Sequence, residues 1–551
     1  MRLVTSKVAD RIANALYAYG FRHAYGIHGA NSEDLFAALL RAPEDRRLTV
    51  TIAKHEFGAG AMADGAARMT GRPGCLIATS GGAAMNCVPA LAEAYQSRSP
   101  VLALIGSPPT AAEGRGAFQD MCAAPRTVDV LAVLRGVTGF AAKVSVPEDL
   151  APALEGAFAA IEQGLPAALL LPKDVQLADC PGPAGRAPIP PGPEAPSQEV
   201  VRLVRAARRP LILLGEAASR ARLAGPVAAL AAATGAVIAV GPNGRDAAPR
   251  TGVVGVAGVM GHPSVPRVAA DADLILALGT ELDLMDRTGL DDAMDVTCTV
   301  HVAAEPPLRD VTVHEPARDL AAYARALADA VGARARVPWT AAAPVPITVP
   351  RNDSGLLTCA DAVDAMAAAI PADALVFADA GNAGAAAVHR LPLGTGDRFL
   401  VALGMGGMGH GIAAGIGAAI ATGRPTVILA GDGAFFMHGM EIHTAIEARA
   451  SVLLVVLNND AHGMCVAREG KFFPDLPSIN RFRPSRIADG LAAMFPTLPV
   501  RSATTPDGVR SAAAELLTGS GGGPSCLEIG TDPAEIPPFA ALLPDTAKER
   551  Q

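Results

Sequence analysis

Uncharged runs of aliphatic and β-branched residues punctuate this chain, and alanine-rich stretches of helical spacing separate them. Such runs stand at 48–53, 210–214, 236–240, 274–278, 426–430 and 452–457. They are too short for core helices and carry no charge, so they read as strands buried on both faces. Strand–helix–strand alternation of this kind predicts parallel sheets covered by helices. Proline-rich stretches at 181–196, with seven prolines, and at 337–350, with the only tryptophan, divide the pattern. The predicted fold class is therefore α/β with three domains, 1–180, 198–335 and 351–535, each a mainly parallel sheet flanked by helices.

Two of these strands frame the most informative motif. The run 426–430 ends in Gly431-Asp432-Gly433, residues 437–449 carry helical spacing, and the run 452–457 ends in Asn458-Asn459. A β-α-β unit brings Asp432 and Asn459 to the carboxyl ends of neighbouring parallel strands, where open α/β sheets bind ligands. A carboxylate with a neutral amide oxygen is a poor zinc site but suits Mg²⁺, which shares oxygen ligands with phosphates. Glycines on either side of Asp432 let the backbone approach a diphosphate. The plain alternative is a β-α-β unit with a Gly-Asp-Gly turn and a polar strand end.

This motif resembles the diphosphate anchor of the thiamine diphosphate (ThDP) enzymes. The resemblance implies that Asp432, Asn459 and the carbonyl of Ala461 hold Mg²⁺, and that Gly431 and Gly433 line the cofactor. In that family a buried glutamate activates ThDP by hydrogen-bonding its aminopyrimidine ring. Glu56 follows the run 48–53 and opens a Gly/Ala-rich helix, matching the family's strand–His–Glu–helix pattern. Such a carboxyl must carry or share a proton near neutral pH, which an apolar pocket favours. A surface glutamate stabilised by the helix dipole is the competing reading.

The resemblance runs on through most of the chain. TSGGAAMN, 79–86, is similar to the family's TSGPG-x-x-N loop, with Gly82 for the usual proline, and puts Asn86 beside the cofactor. GAFQD, 116–120, resembles the AFQE segment of acetolactate synthases and makes Gln119 a contact to the reacting carbonyl; LPKDVQ, 171–176, matches the end of their first domain. The loop GIHGANSEDLF resembles benzaldehyde lyase, so His28 moves protons at the substrate hydroxyl or simply bonds the backbone. Asn31 or Ser32 caps the following helix, with Glu33 and Asp34 in its first turn. The His-His pair of pyruvate-decarboxylase-type enzymes is replaced by IGSPPT at 105–110, which favours the acetolactate synthase and benzaldehyde lyase branch.

GMGGMG at 404–409 spells a dinucleotide fingerprint, with Asp432 at a spacing suited to a ribose-binding acid, so an NAD-linked oxidoreductase is a rival. The ThDP family has a G-x-M-G segment here, which assigns Met408 and Gly406 to the cofactor. Downstream, NNDAHGMCVAREGKFF resembles the acetolactate synthase segment that places Gly463, Met464 and Cys465 near the thiazolium and substrate. Arg468 replaces that segment's tryptophan; it either faces an anionic acceptor or is a solvated residue pairing near Glu469. The middle domain resembles the one that carries FAD in acetolactate synthases, but Glu281 stands where an arginine would neutralise its phosphates, which counts against bound FAD.

Bulk properties narrow the partners. Half the residues are apolar, and net charge is −8 with no dense Lys/Arg run, which argues against nucleic acid and anionic membranes. The eight cysteines lack metal-binding spacing and fit reduced thiols. Residues 1–7 lack a signal-peptide pattern, and the nearly uncharged 399–423 contains eight glycines and a histidine, so a buried core segment is expected rather than a membrane span. The sequence thus predicts a cytoplasmic enzyme using ThDP and Mg²⁺. By resemblance it decarboxylates a 2-oxo acid such as pyruvate and ligates the remainder to a second carbonyl compound. In the family Glu56 of one subunit meets region 404–465 of another, implying a homodimer or homotetramer. A decarboxylase, a 2-hydroxy ketone lyase and a non-catalytic regulatory homologue are the other readings.

Overall fold

The computed structural model describes residues 6–180, 186–188, 194–332, 336–348, 354–519 and 521–535. Most of the proline-rich stretch 181–196 therefore lies outside the described residues, and 336–348 forms neither helix nor strand. Three six-stranded sheets dominate, and every pairing within them is parallel.

In the first sheet the order is Thr49–Ile52, His23–Gly26, Gly74–Ala78, Val101–Ser107, Ala167–Pro172 and Phe140–Lys143. The second runs Val253–Val256, Val237–Val240, Pro210–Leu214, Leu274–Leu278, Cys298–Ala303 and Val313–Pro316. The third runs Arg398–Val401, Leu375–Ala378, Thr426–Gly431, Val452–Asn458, Ser525–Gly530 and Val500–Ala503. Central strands are buried throughout, as Val452–Asn458 shows, because helices cover both faces.

The first and third domains meet where helix Glu56–Thr70 crosses helix His410–Thr422. Both are rich in glycine and alanine, so their backbones touch. A Cβ on Gly65 would overlap the Ala414 carbonyl, and one on Gly417 would overlap Met62. The uncharged segment 399–423 is thus core, and among the described residues no helix is long and apolar enough to cross a membrane.

Buried charge ties this crossing to the middle domain. Arg68 lies 2.9 Å from Asp64, 3.4 Å from Glu93 and 3.2 Å from Glu216. His410 Nε2 stands 3.0 Å from Asp64 Oδ2, close but not aligned as a hydrogen bond.

Two local expectations are corrected. The helix expected at 437–449 is instead a helix Asp432–His438, a 3₁₀ turn Gly439–Glu441 and a second helix Ile442–Ala448. Phe436 and Met437 point outward, so the first helix carries no amphipathic signature. Ser32 occupies the cap position of helix Glu33–Arg41, but its hydroxyl donates to the Gly29 carbonyl at 3.2 Å rather than capping the helix, and the Asn31 amide bonds Ser80.

Candidate active site

Strands Thr426–Gly431 and Val452–Asn458 pair in register with Gly431 opposite Leu457. Their ends therefore deliver Asp432 and Asn459 side by side. The N–H of Ala461 donates to Asp432 Oδ2 at 3.2 Å and to Asn459 Oδ1 at 3.1 Å, so the three expected metal-site residues meet. Asp432 is 2% exposed, with no ion pair among the described residues. Burial pushes its carboxyl up to about 6, against hydrogen bonds from the Gly433 and Ala461 N–H groups that favour the anion. A buried carboxylate without a counter-charge, beside a neutral amide oxygen, fits a corner completed by a hard cation.

Asn382 joins this corner, and no sequence motif announces it. It opens helix Asn382–Arg390, just beyond strand Leu375–Ala378. Both of its side-chain polar atoms are buried without a partner among the described residues. A Cβ on Gly463 would sit 2.6 Å from Asn459 Nδ2 and 3.1 Å from Asn382 Nδ2. A Cβ on Gly433 would sit 2.5 Å from His462 and 3.1 Å from the Met408 methyl. Glycine at both positions keeps open a cradle bounded by Asn382, Asn459, His462 and Met408. An orphaned amide beside glycine backbone suits a phosphate oxygen, so these residues fit a Mg²⁺-bound diphosphate.

The loop bearing Met408 is held from both domains. Glu93 accepts the N–H groups of Gly404 at 3.2 Å and Met405 at 2.6 Å, while Asp379 accepts those of Gly409 and Ile412. Gly406 has φ of 64°, in the left-handed region that glycine tolerates. Met464, Cys465 and Arg468 lie on helix Gly463–Phe472, none of whose residues is buried. Arg468 lies over the Phe472 ring, 5.2 Å from its centroid. Glu469 bonds Ser478 and Asn480, and Arg468 makes no ion pair among the described residues.

The other candidate residues gather at the carboxyl edge of the first sheet. Glu56 is the first residue of its helix, after His55, whose ring nitrogen accepts the Phe57 N–H. Asn86 donates to Glu56 Oε2 at 3.0 Å. Expected to be buried, Glu56 is instead half-exposed and Asn86 is exposed, because this edge faces outward from the single chain. Among the described residues no hydrogen bond or ion pair joins Glu56 to region 404–465.

Gln119 is held by a relay: Asn31 Nδ2 donates to Ser80 Oγ at 2.7 Å, and Ser80 donates to Gln119 Oε1 at 3.0 Å. Its backbone has φ of 60°, a strained value for a non-glycine residue. With its oxygen engaged by Ser80, the amide has its N–H₂ group left to donate. His28 stands exposed on the Asn31 loop, its ring centroid 5.4 Å from that of Phe36.

Strand order opposes the dinucleotide reading of 404–409. A ribose-binding acid ends the strand beside the glycine-rich one. Here Leu375–Ala378 separates Arg398–Val401 from the strand of Asp432. The middle sheet has a cavity of about 670 Å³ at the ends of Pro210–Leu214 and Leu274–Leu278. Glu281, Asp283, Asp286 and Glu305 line it; Arg98 lies 3.5 Å from Glu281 and 3.4 Å from Glu305, and burial, then Asp283, pushes Asp286 up to about 7. Arg68, Arg98, Arg220 and Arg318 line the same cavity, so acids and guanidinium groups share its wall.

Comparison with known proteins agrees with this geometry. The chain matches models of the thiamine pyrophosphate (that is, ThDP) enzymes: the N-terminal TPP binding domain over residues 6–127, the central domain over 197–330 and the C-terminal TPP binding domain over 379–529. It is 27% identical over 493 residues to the acetolactate synthase isozyme 1 large subunit of Escherichia coli (strain K12), covering 84% of each chain. It is 29% identical over 479 residues, 83% of each chain, to a Pseudomonas aeruginosa protein named as a probable 2-ketoarginine decarboxylase. A solved structure, the ThDP-dependent 4-hydroxybenzoylformate decarboxylase of Rhodococcus jostii RHA1, shares the fold with a TM-score of 0.78 at 18% identity, covering 96% of this chain and 99% of that one. With all three domain types present in the family's order, the chain belongs to the thiamine diphosphate-dependent enzymes and is related to acetolactate synthase.

Proposed function

We propose that this ThDP-dependent enzyme uses Mg²⁺ to decarboxylate a 2-oxo acid, with pyruvate the first candidate, and joins the remaining acyl unit to a second carbonyl compound. The observation that carries this reading is the meeting of Asp432, Asn459 and the unpartnered Asn382 at one sheet edge. Asp432, Asn459 and the Ala461 carbonyl would hold Mg²⁺, and Asn382 with Gly431, Gly433 and Gly463 would surround the diphosphate. Bound ThDP supplies the electron sink that lets a bond beside a carbonyl break and re-form. Met408 would support the cofactor from its loop. Glu56 would hydrogen-bond the aminopyrimidine ring of the cofactor, and Asn86 orients its carboxyl. Gln119 donates an N–H to the oxygen of the reacting carbonyl, while His28 moves a proton at the resulting hydroxyl.

Among the described residues the Glu56 side chain makes no hydrogen bond or ion pair to the Asp432 corner, and that corner carries exposed apolar side chains. Met405, Phe436, Met464, Phe473 and Ile479 are all exposed around it. A second copy laying its Glu56 edge over this surface would exclude water and complete both sites, so a homodimer or homotetramer is the working unit. A purely monomeric active species in sedimentation would count against that. The all-reduced cysteines suit a cytoplasmic setting.

Arg468, without an ion pair among the described residues, favours an acceptor bearing a carboxylate, phosphate or sulfonate. Its presence in place of the family tryptophan also supports a second reading, simple decarboxylation or 2-hydroxy ketone cleavage. Incubating the ThDP- and Mg²⁺-loaded protein with a panel of 2-oxo acids, alone and with anionic or neutral carbonyl acceptors, separates the two. Carbon dioxide release with a ligated product by mass spectrometry is expected. Aldehyde as the sole product would favour the second reading, and no carbon dioxide from any 2-oxo acid would discard the first.

A further inference from the structure

Glu441 has no place in the cofactor corner, yet its side chain is 1% exposed and lies across a domain boundary. It ends the 3₁₀ turn Gly439–Glu441, which continues directly from the helix opened by Asp432. Its Oε1 accepts the N–H groups of Lys54 and His55, each at 3.0 Å. Its Oε2 accepts the Lys54 N–H at 3.1 Å and the Thr444 hydroxyl at 2.8 Å. Lys54 and His55 are the two residues before Glu56, and their N–H groups belong to the entry of its helix. N–H groups at such an entry have no partner within the helix, and an anion is favoured there by the helix dipole.

Two neighbours show that the contact is built. A Cβ on Gly58, in the first turn of the Glu56 helix, would overlap Glu441 Oε1, so glycine leaves the carboxylate its place. Three residues before Glu441, the His438 ring stacks on Phe57 at 4.4 Å between centroids. The residues on both sides of Glu56 are thus gripped by the segment that starts at Asp432.

We infer that Glu441 is a positioning residue: it fixes the entry of the Glu56 helix, and through it the Glu56 carboxyl, to the element that carries Asp432. The inference rests on the reading of Glu56 as the acid that activates ThDP. Proton transfer demands hydrogen-bond reach, so a shifted helix entry slows it without touching the diphosphate corner.

The test compares wild type, Glu441→Gln and Glu56→Gln as full-length proteins. Three quantities are read: amide hydrogen exchange at residues 54–55 without cofactor, ThDP affinity with Mg²⁺, and deuterium exchange at the thiazolium C2 of the loaded enzyme by acid quench and NMR. The Glu441→Gln change keeps the side-chain volume but turns an N–H₂ towards a backbone N–H. It should speed amide exchange at 54–55 by ~10-fold and slow C2 exchange by ~10-fold, with ThDP affinity within ~3-fold of wild type. Glu56→Gln should slow C2 exchange by ~100-fold or more.

C2 exchange in Glu441→Gln within ~2-fold of wild type overturns the inference, as does a parallel loss of ThDP affinity, which would mark a merely structural clamp. If Glu56→Gln also exchanges at the wild-type rate, the reading of Glu56 fails and takes this inference with it. Should Glu441→Gln not fold, Thr444→Val removes one hydrogen bond to the same carboxylate and is judged by the same outcomes, with C2 exchange slowed by ~3-fold.

Discussion

Asp432 and Asp64 are both almost wholly buried, at 2% and 0% exposed, yet their surroundings move their carboxyls in opposite directions. Burial pushes Asp432 up to about 6, with no ion pair to offset it among the described residues. At Asp64 burial works the same way, but Arg68 and then His410 outweigh it and hold the carboxyl well below the usual range. A folded-state value below the unfolded one contributes stability that is complete above the ordinary carboxylate range and is lost as pH falls towards the folded value. Asp64→Asn should therefore cost ~3 kcal/mol of unfolding free energy at pH 7, because Arg68 loses its nearest buried partner. The gap to wild type should narrow below pH ~4, as urea titrations across that range would show; a gap independent of pH contradicts the assignment. Asp432 and Asn459 are legible in the sequence because their strands and turns are local. Asn382 and Ser80 are not, since what marks them is an orphaned amide in one case and a partner 39 residues away in the other.

At the scale of elements, the crossing of Glu56–Thr70 with His410–Thr422 sets the relation between the first and third domains. Gly65→Val would drive a branched side chain into the Ala414 carbonyl, with no flexible neighbour to give way. A loss of ~3 kcal/mol or more is expected, read as a lower thermal midpoint or failure to fold; an unchanged midpoint would show that the helices do not cross as closely as described. The strands are legible because uncharged aliphatic runs have few other fates. The run 274–278 appears as Leu274–Leu278, and 452–457 as Val452–Asn458. Helix Asp432–His438 escapes the same reading because its outward face is apolar, with Phe436 54% and Met437 51% exposed. Periodicity cannot reveal a helix whose solvent side in the single chain carries the same residue types as its core side.

For the whole molecule, the family resemblance and the three-sheet architecture agree, whereas the burial of Glu56 is not reproduced within one chain. Its half-exposed carboxyl and the exposed apolar residues around the Asp432 corner are two incomplete surfaces, which a second copy would join. No single-chain pattern encodes such a relation, and only the resemblance implies it. The middle domain keeps the family's sheet and lines its cavity with both acids and arginines, Glu281 lying 3.5 Å from Arg98. The central claim is that Asp432 anchors a magnesium-bound thiamine diphosphate. It is tested most directly by titrating wild type and Asp432→Ala with thiamine diphosphate, with and without Mg²⁺, by calorimetry. The account predicts saturable binding by wild type that needs Mg²⁺ and is weakened at least ~100-fold in Asp432→Ala. Equal binding by the two proteins, or binding by wild type that ignores the metal, would contradict it.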